Sequence, residues 1–239
     1  MLKAVIFDMD GVIFDSERSI IDCWIPVAEK YGIPDVLPQC LKCIGITETQ
    51  SAKVFREVYG QDLPYEKIRK EVNEMYREFC DAGRLPMKKG VRELLGFLKE
   101  NGIRIALASS GGRAHVEHLL GNAGILDYFE AVIGGDMVTR GKPAPDVFLK
   151  AVEELDRTCG KSAEAGEQGG EILPGDCLVI EDSYQGIRAA YAAGIPVIMV
   201  PNLLPPTEEC GEKAEKILPS LTEVLQELKE RLDIYPKGV

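Results

Sequence analysis

Two acids one residue apart, Asp8 and Asp10, stand directly after the apolar run Ala4–Phe7 and just before Gly11. In extended backbone, residues two apart point to the same side. The two carboxylates therefore converge at the end of a buried strand, where open parallel sheets place their ligands. Crowded carboxylates repel each other and lose hydration there. A hard, oxygen-preferring cation relieves both costs, and Mg²⁺ is the common one. An acidic pair that merely solvates a strand tip has the same sequence, so the pair carries little by itself. A second one, Glu181-Asp182, ends the apolar run Cys177–Ile180 and is followed by Ser183 and Gly186. The structural alternative at this second tip is that Asp182 or Ser183 only caps the next helix.

Complementary groups stand at two further tips. The apolar segment Ile103–Ala108 runs into Ser109-Ser110-Gly111-Gly112, hydroxyls and a flexible turn before a helix, where backbone N–H groups form an anion cradle. An N-cap serine is the alternative for one of the two hydroxyls. Gly141-Lys142-Pro143-Ala144-Pro145-Asp146 sets a lysine in a proline-stiffened turn before a helix. Pro145 suits a first helical turn, so Lys142 is held by a rigid loop that can aim it inward. Acids that hold a cation, with lysine, hydroxyl and N–H groups that hold an anion, fit a phosphoryl group bridged to Mg²⁺.

The elements that must position these residues follow from periodicity. Val91–Asn101, Ala114–Ala123, Pro145–Asp156, Tyr184–Ala193 and Leu221–Arg231 read as helices, and they alternate with strand-like Ile103–Ser109, Ala131–Gly134, Cys177–Ile180 and Pro196–Val200. Strands apolar throughout, alternating with helices, predict an α/β fold with a doubly wound parallel sheet. Between Ser16 and about Arg84 the pattern is helical only: Ser19–Tyr31, Glu48–Tyr59 and Tyr65–Cys80, with breaks at Gly32–Pro34, Pro38 and Gly60–Pro64. This block reads as a small α-helical insertion, residues 16–85, in a core made of residues 1–15 and 86–239. Gly160–Gly170 reads as a surface loop, with a lid over the site as the functional alternative. The stretch around Pro205-Pro206 and Glu208-Glu209 reads as a solvated loop.

Composition narrows the partners. A length of 239 residues is about 1.6 typical domains. Lys and Arg number 28 against 39 Asp and Glu, a net charge of −11; this and the lack of a basic patch argue against nucleic acid. An anionic substrate must then be held by local cations, a metal or N–H groups. No apolar run approaches the roughly 20 residues that cross a bilayer, and the N-terminus lacks a cleavable-signal layout. Seven scattered cysteines read as free thiols in a reducing cytoplasm. Cys40 and Cys43 have metal-like spacing without a second pair to complete a site. His115 and His118, at i and i+3, lack a third ligand nearby in sequence. Trp24 reads as packing within the helical block.

The ordered set Asp8-Met9-Asp10-Gly11-Val12, Ser109, Lys142-Pro143-Ala144-Pro145-Asp146 and Glu181-Asp182-Ser183 resembles the haloacid dehalogenase superfamily. Within it, the set is similar to the phosphatase and β-phosphoglucomutase-like branch, which has a Rossmann-like core and a helical cap inserted after the first strand. The resemblance covers nearly the whole chain, with Gly160–Gly170 as an extra insertion. It implies that Asp8 is the nucleophile and Asp10 the general acid and then base. An Asp at +2 disfavours dehalogenation. Mg²⁺ is implied at Asp8, the backbone carbonyl of Asp10 and Asp182, with Glu181 in support. Ser109 and Ser110 would hold phosphate oxygens, and Lys142 would offset charge.

The resemblance also bears on the reaction. The family's substrate-facing cap turn falls at Gly45, making Gly45 and Thr47 candidate substrate contacts, with Arg113 as a further one. β-Phosphoglucomutases carry an arginine soon after that glycine, where this chain has Glu48, which would repel a second phosphate. They also carry a cap histidine near the position of Ile20 and a Ser-Lys pair where Gly111-Gly112 stands. Arg113 or Lys53 is the available substitute cation. The expectation is a Mg²⁺-dependent phosphatase for a small phosphorylated metabolite such as a sugar phosphate, monomeric, with neither nucleic acid nor membrane as partner. The alternatives are a phosphohexomutase and a non-catalytic binding protein on the same fold.

Overall fold

Ala4-Val5-Ile6-Phe7, none of them exposed, form strand β1 in the computed structural model, which describes residues 2–44, 46, 48–162 and 171–233. A strand apolar at every position is stable only with both faces covered. β1 pairs in parallel with β2 (Arg104–Ala108) on one side and β4 (Cys177–Glu181) on the other, so Phe7 lies between Leu107 and Ile180. β3 (Ala131–Ile133) extends the sheet beyond β2. β5 (Val197–Met199) and β6 (Lys216–Ile217) extend it beyond β4. The six strands run in the order β3-β2-β1-β4-β5-β6. Progress outward from β1 reverses at β4, and such a reversal opens a crevice at the carboxyl ends of the two central strands.

The chain divides into two compact units, Met1–Phe14 with Met87–Val239, and Asp15–Pro86. The first contains the sheet and the helices α5 (Val91–Glu100), α6 (Arg113–Asn122), α7 (Asp146–Ser162), α8 (Tyr184–Ala192), α9 (Glu208–Lys213) and α10 (Leu221–Asp233). Ala4, Ile6, Ala106, Ala108 and Val179 share one core with Phe148, Ala151 and Leu155 of α7 and Ile187 and Ala190 of α8. Val5, Phe7, Ile105 and Leu107 alternate with them and are equally buried on the other face. There α5 packs on β2 and on α10.

The second unit is helical: α1 (Ser16–Lys30), α2 (Leu37–Lys42), α3 (Glu48–Tyr59) and α4 (Tyr65–Asp81). Its core is aromatic. Trp24 stacks on Phe55 with ring centroids 4.6 Å apart, and Tyr65 lies 5.2 Å from Phe55. Trp24 is thus a packing residue.

Three local expectations need correction. Pro38 does not break a helix: it lies in the first turn of α2, where its missing N–H costs nothing. The stretch after Pro206 is not a solvated loop, because Thr207 accepts a hydrogen bond from the Cys210 N–H and starts α9. Glu209 on that helix pairs with Arg188 and Lys213. Beyond α9, Lys216–Ile217 adds β6, whose two residues are too few to show a period. Of the segment read as a surface loop, Gly160–Ser162 belongs to α7 and residues 163–170 lie outside the described residues.

Candidate active site

Asp8 follows β1, and Glu181 and Asp182 sit at the end of neighbouring β4; all three are buried. One oxygen from each of these carboxylates lies within 4.8 Å of the others. Asp8 is fixed through its backbone N–H, which donates to the Ile180 carbonyl at 3.0 Å. Asp182 leans onto Gly11, the turn glycine at φ +77°, where an added Cβ would stand 1.9 Å from Asp182 Oδ2. That close approach requires glycine and keeps the Asp182 carboxylate against the loop that carries Asp8 and Asp10. Asp10, half-buried, is near enough for its charge to raise the pKa of Asp8.

Lys142 reaches the same place from the loop between β3 and α7. Its Nζ donates to Asp8 Oδ1 at 2.5 Å, to Glu181 Oε1 at 2.6 Å and to the Ala108 carbonyl at 3.3 Å. It also lies 4.8 Å from the centre of the Phe148 ring. The side chain is only 6% exposed, so the ammonium is turned inward and the two acids hold its pKa above the usual lysine value. Burial acts oppositely on Asp8. Desolvation is the largest influence and pushes its carboxyl up to about 8, aided by Glu181 and Asp10 and opposed by Lys142.

These charges test the site for a cation. Three buried carboxylates face one buried ammonium, so the ionised cluster has an excess of negative charge that a divalent ion, taken up by these hard oxygen ligands, would balance. The donor set fits Mg²⁺. Both oxygens of Glu181 are engaged: Oε1 accepts from Lys142, and Oε2 accepts from the Asp182 and Ser183 N–H groups and the Ser183 hydroxyl. An added Cβ on Gly186 would lie 1.6 Å from Glu181 Oε1, so this glycine makes room for the carboxylate. Ser183 is the N-cap of α8, accepting from the Gly186 N–H at 3.0 Å.

On the other side of β1, Ser109 follows β2 and is fully buried. Its Oγ accepts from the Gly111 N–H at 3.0 Å, which folds the turn back on itself. Neither serine caps α6, whose N-cap is Gly112. Acids beside β1 and a hydroxyl turn across it frame a small anion-plus-cation site.

From residue 5 to residue 200 the chain matches the haloacid dehalogenase-like hydrolases. The chain belongs to that family. A phosphorylated carbohydrates phosphatase of Thermotoga maritima is 32% identical over 195 residues, 81% of this chain and 82% of that protein. A β-phosphoglucomutase of Bacillus subtilis is 32% identical, covering 81% of each chain. A bifunctional riboflavin kinase/FMN phosphatase of Arabidopsis thaliana is 30% identical over 93% of this chain, which spans 54% of that protein's length. Among solved structures, a hydrolase of this family from Deinococcus radiodurans, with bound phosphate and sodium, superposes with a TM-score of 0.79 at 25% identity, covering 96% of both chains.

Gly45 and Thr47 are outside the described residues. The Arg113 guanidinium is tied to Glu117 at 2.7 Å, and half-exposed. Lys53, a helical-unit residue, is 78% exposed and 3.8 Å from Glu57. Among the described residues, the only metal-capable group of three acids, thiols or imidazoles is Asp8, Glu181 and Asp182, so neither His115–His118 nor Cys40–Cys43 forms one. Six described cysteines are free thiols. Asp136, whose carboxylate accepts from the Arg113 N–H, carried no sequence signal beyond following a strand.

Proposed function

We propose that this hydrolase is a Mg²⁺-dependent phosphatase that cleaves a small phosphorylated metabolite through an aspartyl-phosphate intermediate. The observation that carries the reading is the buried Lys142 ammonium bonded to Asp8 at 2.5 Å beside two further acids. A lysine that is buried only to stabilise a fold does not need three carboxylates at a sheet's switch point.

Asp8 is the nucleophile. One carboxylate oxygen forms a bond to phosphorus while the bond from phosphorus to the substrate's ester oxygen breaks in line. Asp10 gives its proton to the departing oxygen, then takes one from the water that releases phosphate and restores the Asp8 carboxylate; such acid–base help is worth about 10²–10⁴ in rate. Lys142 holds Asp8 in place and offsets the negative charge gathered around phosphorus. The Ser109 hydroxyl and the Ser110 N–H bind phosphoryl oxygens. Asp8, Asp182 and the backbone carbonyl of Asp10 would hold Mg²⁺, with Glu181 in support. Bound there, it would supply neutralisation of the charge on the phosphoryl group.

The phosphatase names of the Thermotoga and Arabidopsis relatives support this reading, and the former makes a sugar phosphate a reasonable member of the substrate class. The helical unit, Asp15–Pro86, is proposed as the part that reads the rest of the substrate. The second reading is a phosphohexomutase, favoured by the name of the Bacillus relative. It needs a cation for a second phosphate, and Glu48 stands where that cation is expected, paired to Arg69 at 3.2 Å. A monomer in a reducing cytoplasm completes the proposal.

Asp8→Asn is nearly isosteric and should abolish turnover of a chromogenic phosphate ester while leaving circular dichroism unchanged. EDTA should silence the wild type and Mg²⁺ restore it. Turnover by the Asn variant, or undiminished activity without metal, overturns the mechanism. A coupled assay converting glucose 1-phosphate to glucose 6-phosphate separates mutase from hydrolase.

A further inference from the structure

The turn that follows β2 is held only in part by its own residues. The backbone N–H of Arg113, first residue of α6, donates to Asp136 Oδ1 at 2.9 Å, so a carboxylate 23 positions away occupies a helix start whose N-cap, Gly112, has no side chain to offer. The Gly135 N–H donates to the Gly111 carbonyl at 2.8 Å. An added Cβ at Gly134 would stand 2.3 Å from the Arg113 nitrogen, and one at Gly135 would stand 2.4 Å from the Ser110 carbonyl oxygen. At the near end of the turn, the Ser109 N–H donates to the Ile133 carbonyl at 2.9 Å. Two glycines therefore let the Gly134–Asp136 segment press directly on Ser109–Arg113, and Asp136 ties the far end.

We infer that Asp136 is a positioning residue for the phosphoryl-binding turn, acting through the Arg113 N–H. This rests on the proposed phosphatase reading, because the turn matters only if Ser109 and Ser110 hold phosphoryl oxygens. The physical reason is leverage. Gly111 and Gly112 make a flexible segment, and the Ser109 hydroxyl restrains only its first half, through Gly111. Gly111 is held at its N–H by Ser109 and at its carbonyl by Gly135, so the Arg113 N–H bond to Asp136 fixes the remaining end, past Gly112. A carboxylate near an anion site is electrostatically costly, so an acid at this position needs such a reason. Asp136 is exposed; a purely solvating role would leave its oxygen in water rather than on a backbone N–H of the neighbouring loop. The hydrogen bond needs an acceptor oxygen but no charge, so asparagine can replace the aspartate and alanine cannot.

The test measures KM and kcat for a chromogenic phosphate ester, and the dissociation constant of inorganic phosphate by calorimetry with Mg²⁺ present, in the full chain. Asp136→Ala should raise KM and the phosphate dissociation constant together by about tenfold, the loss expected for one capping bond. Asp136→Asn should bring both within about twofold of wild type. Gly135→Ala, which pushes on the Ser110 carbonyl from the other side, should shift the same two constants and serves if Asp136→Ala does not fold. Wild-type constants in Asp136→Ala, even with a lowered melting temperature, overturn the inference, as does an Asn variant as weak as the Ala one. A wild type that binds phosphate without turning over the ester defeats the phosphatase reading alone, and the inference is then judged on the phosphate constants. A wild type that binds no phosphate defeats both.

Discussion

At the residue scale the site is governed by how four side chains share charge without water. Lys142 has two carboxylates within 2.6 Å, and both are nine-tenths or more buried, so neither acid can fall back on solvent if the lysine is lost. Removing one partner of a buried ion pair costs about 3–5 kcal/mol, far more than a surface pair is worth. Lys142→Met should therefore lower the unfolding free energy by about that amount in urea titrations as well as abolish turnover. A variant as stable as wild type would mean that Lys142 does not neutralise Asp8 and Glu181.

At the element scale the fold depends on ends rather than middles. The candidate site sits at the ends of β1, β2 and β4, and close approaches at Gly11, Gly186 and Gly135 let these ends touch. Farther out, α8 and α9 pack together and are joined by the Arg188–Glu209 pair, with Lys213 on the same carboxylate. Hydrogen bonds from Arg188 and then Lys213 hold the Glu209 carboxyl down to about 2. A carboxylate whose pKa is lowered on folding stabilises the fold above its unfolded pKa, and that contribution fades as pH falls toward the folded value. Wild type should thus melt higher than Glu209→Gln at pH 6, with the gap closing as pH falls from about 4.5 toward 2. A pH-independent gap would show that the ion pair is not its source.

At the scale of the whole molecule, a net charge of −11 works against a phosphate ester. Local groups capture the anion at short range, but its approach is opposed by the field of the entire surface. Salt screens that field over a Debye length of about 8–10 Å near physiological ionic strength. Raising NaCl from low to physiological concentration at saturating Mg²⁺ should then lower KM for a dianionic ester, with little change in kcat. A KM that rises with salt would indicate that a basic surface steers the substrate. No described helix is long and apolar enough to cross a membrane.

The sequence by itself determined the parallel sheet and the residues at its rim. Buried strands must be apolar throughout, and acids or hydroxyls directly after such runs have few reasons to be there; Asp8, Ser109 and Glu181-Asp182 were legible for that reason, and Lys142 was legible from its proline-stiffened turn. It did not determine α2, α9 or β6, because a proline in a first turn, a threonine cap and a two-residue edge strand carry too little periodicity. Tertiary structure alone decided how the rim residues divide their work. Glu181 spends both oxygens on Lys142 and the start of α8, Asp182 leans on Gly11, and Asp136 reaches from one loop to fasten the next. Those assignments depend on distances between strands far apart in the chain, and spacing along a polypeptide does not encode which of two adjacent carboxylates meets the ammonium.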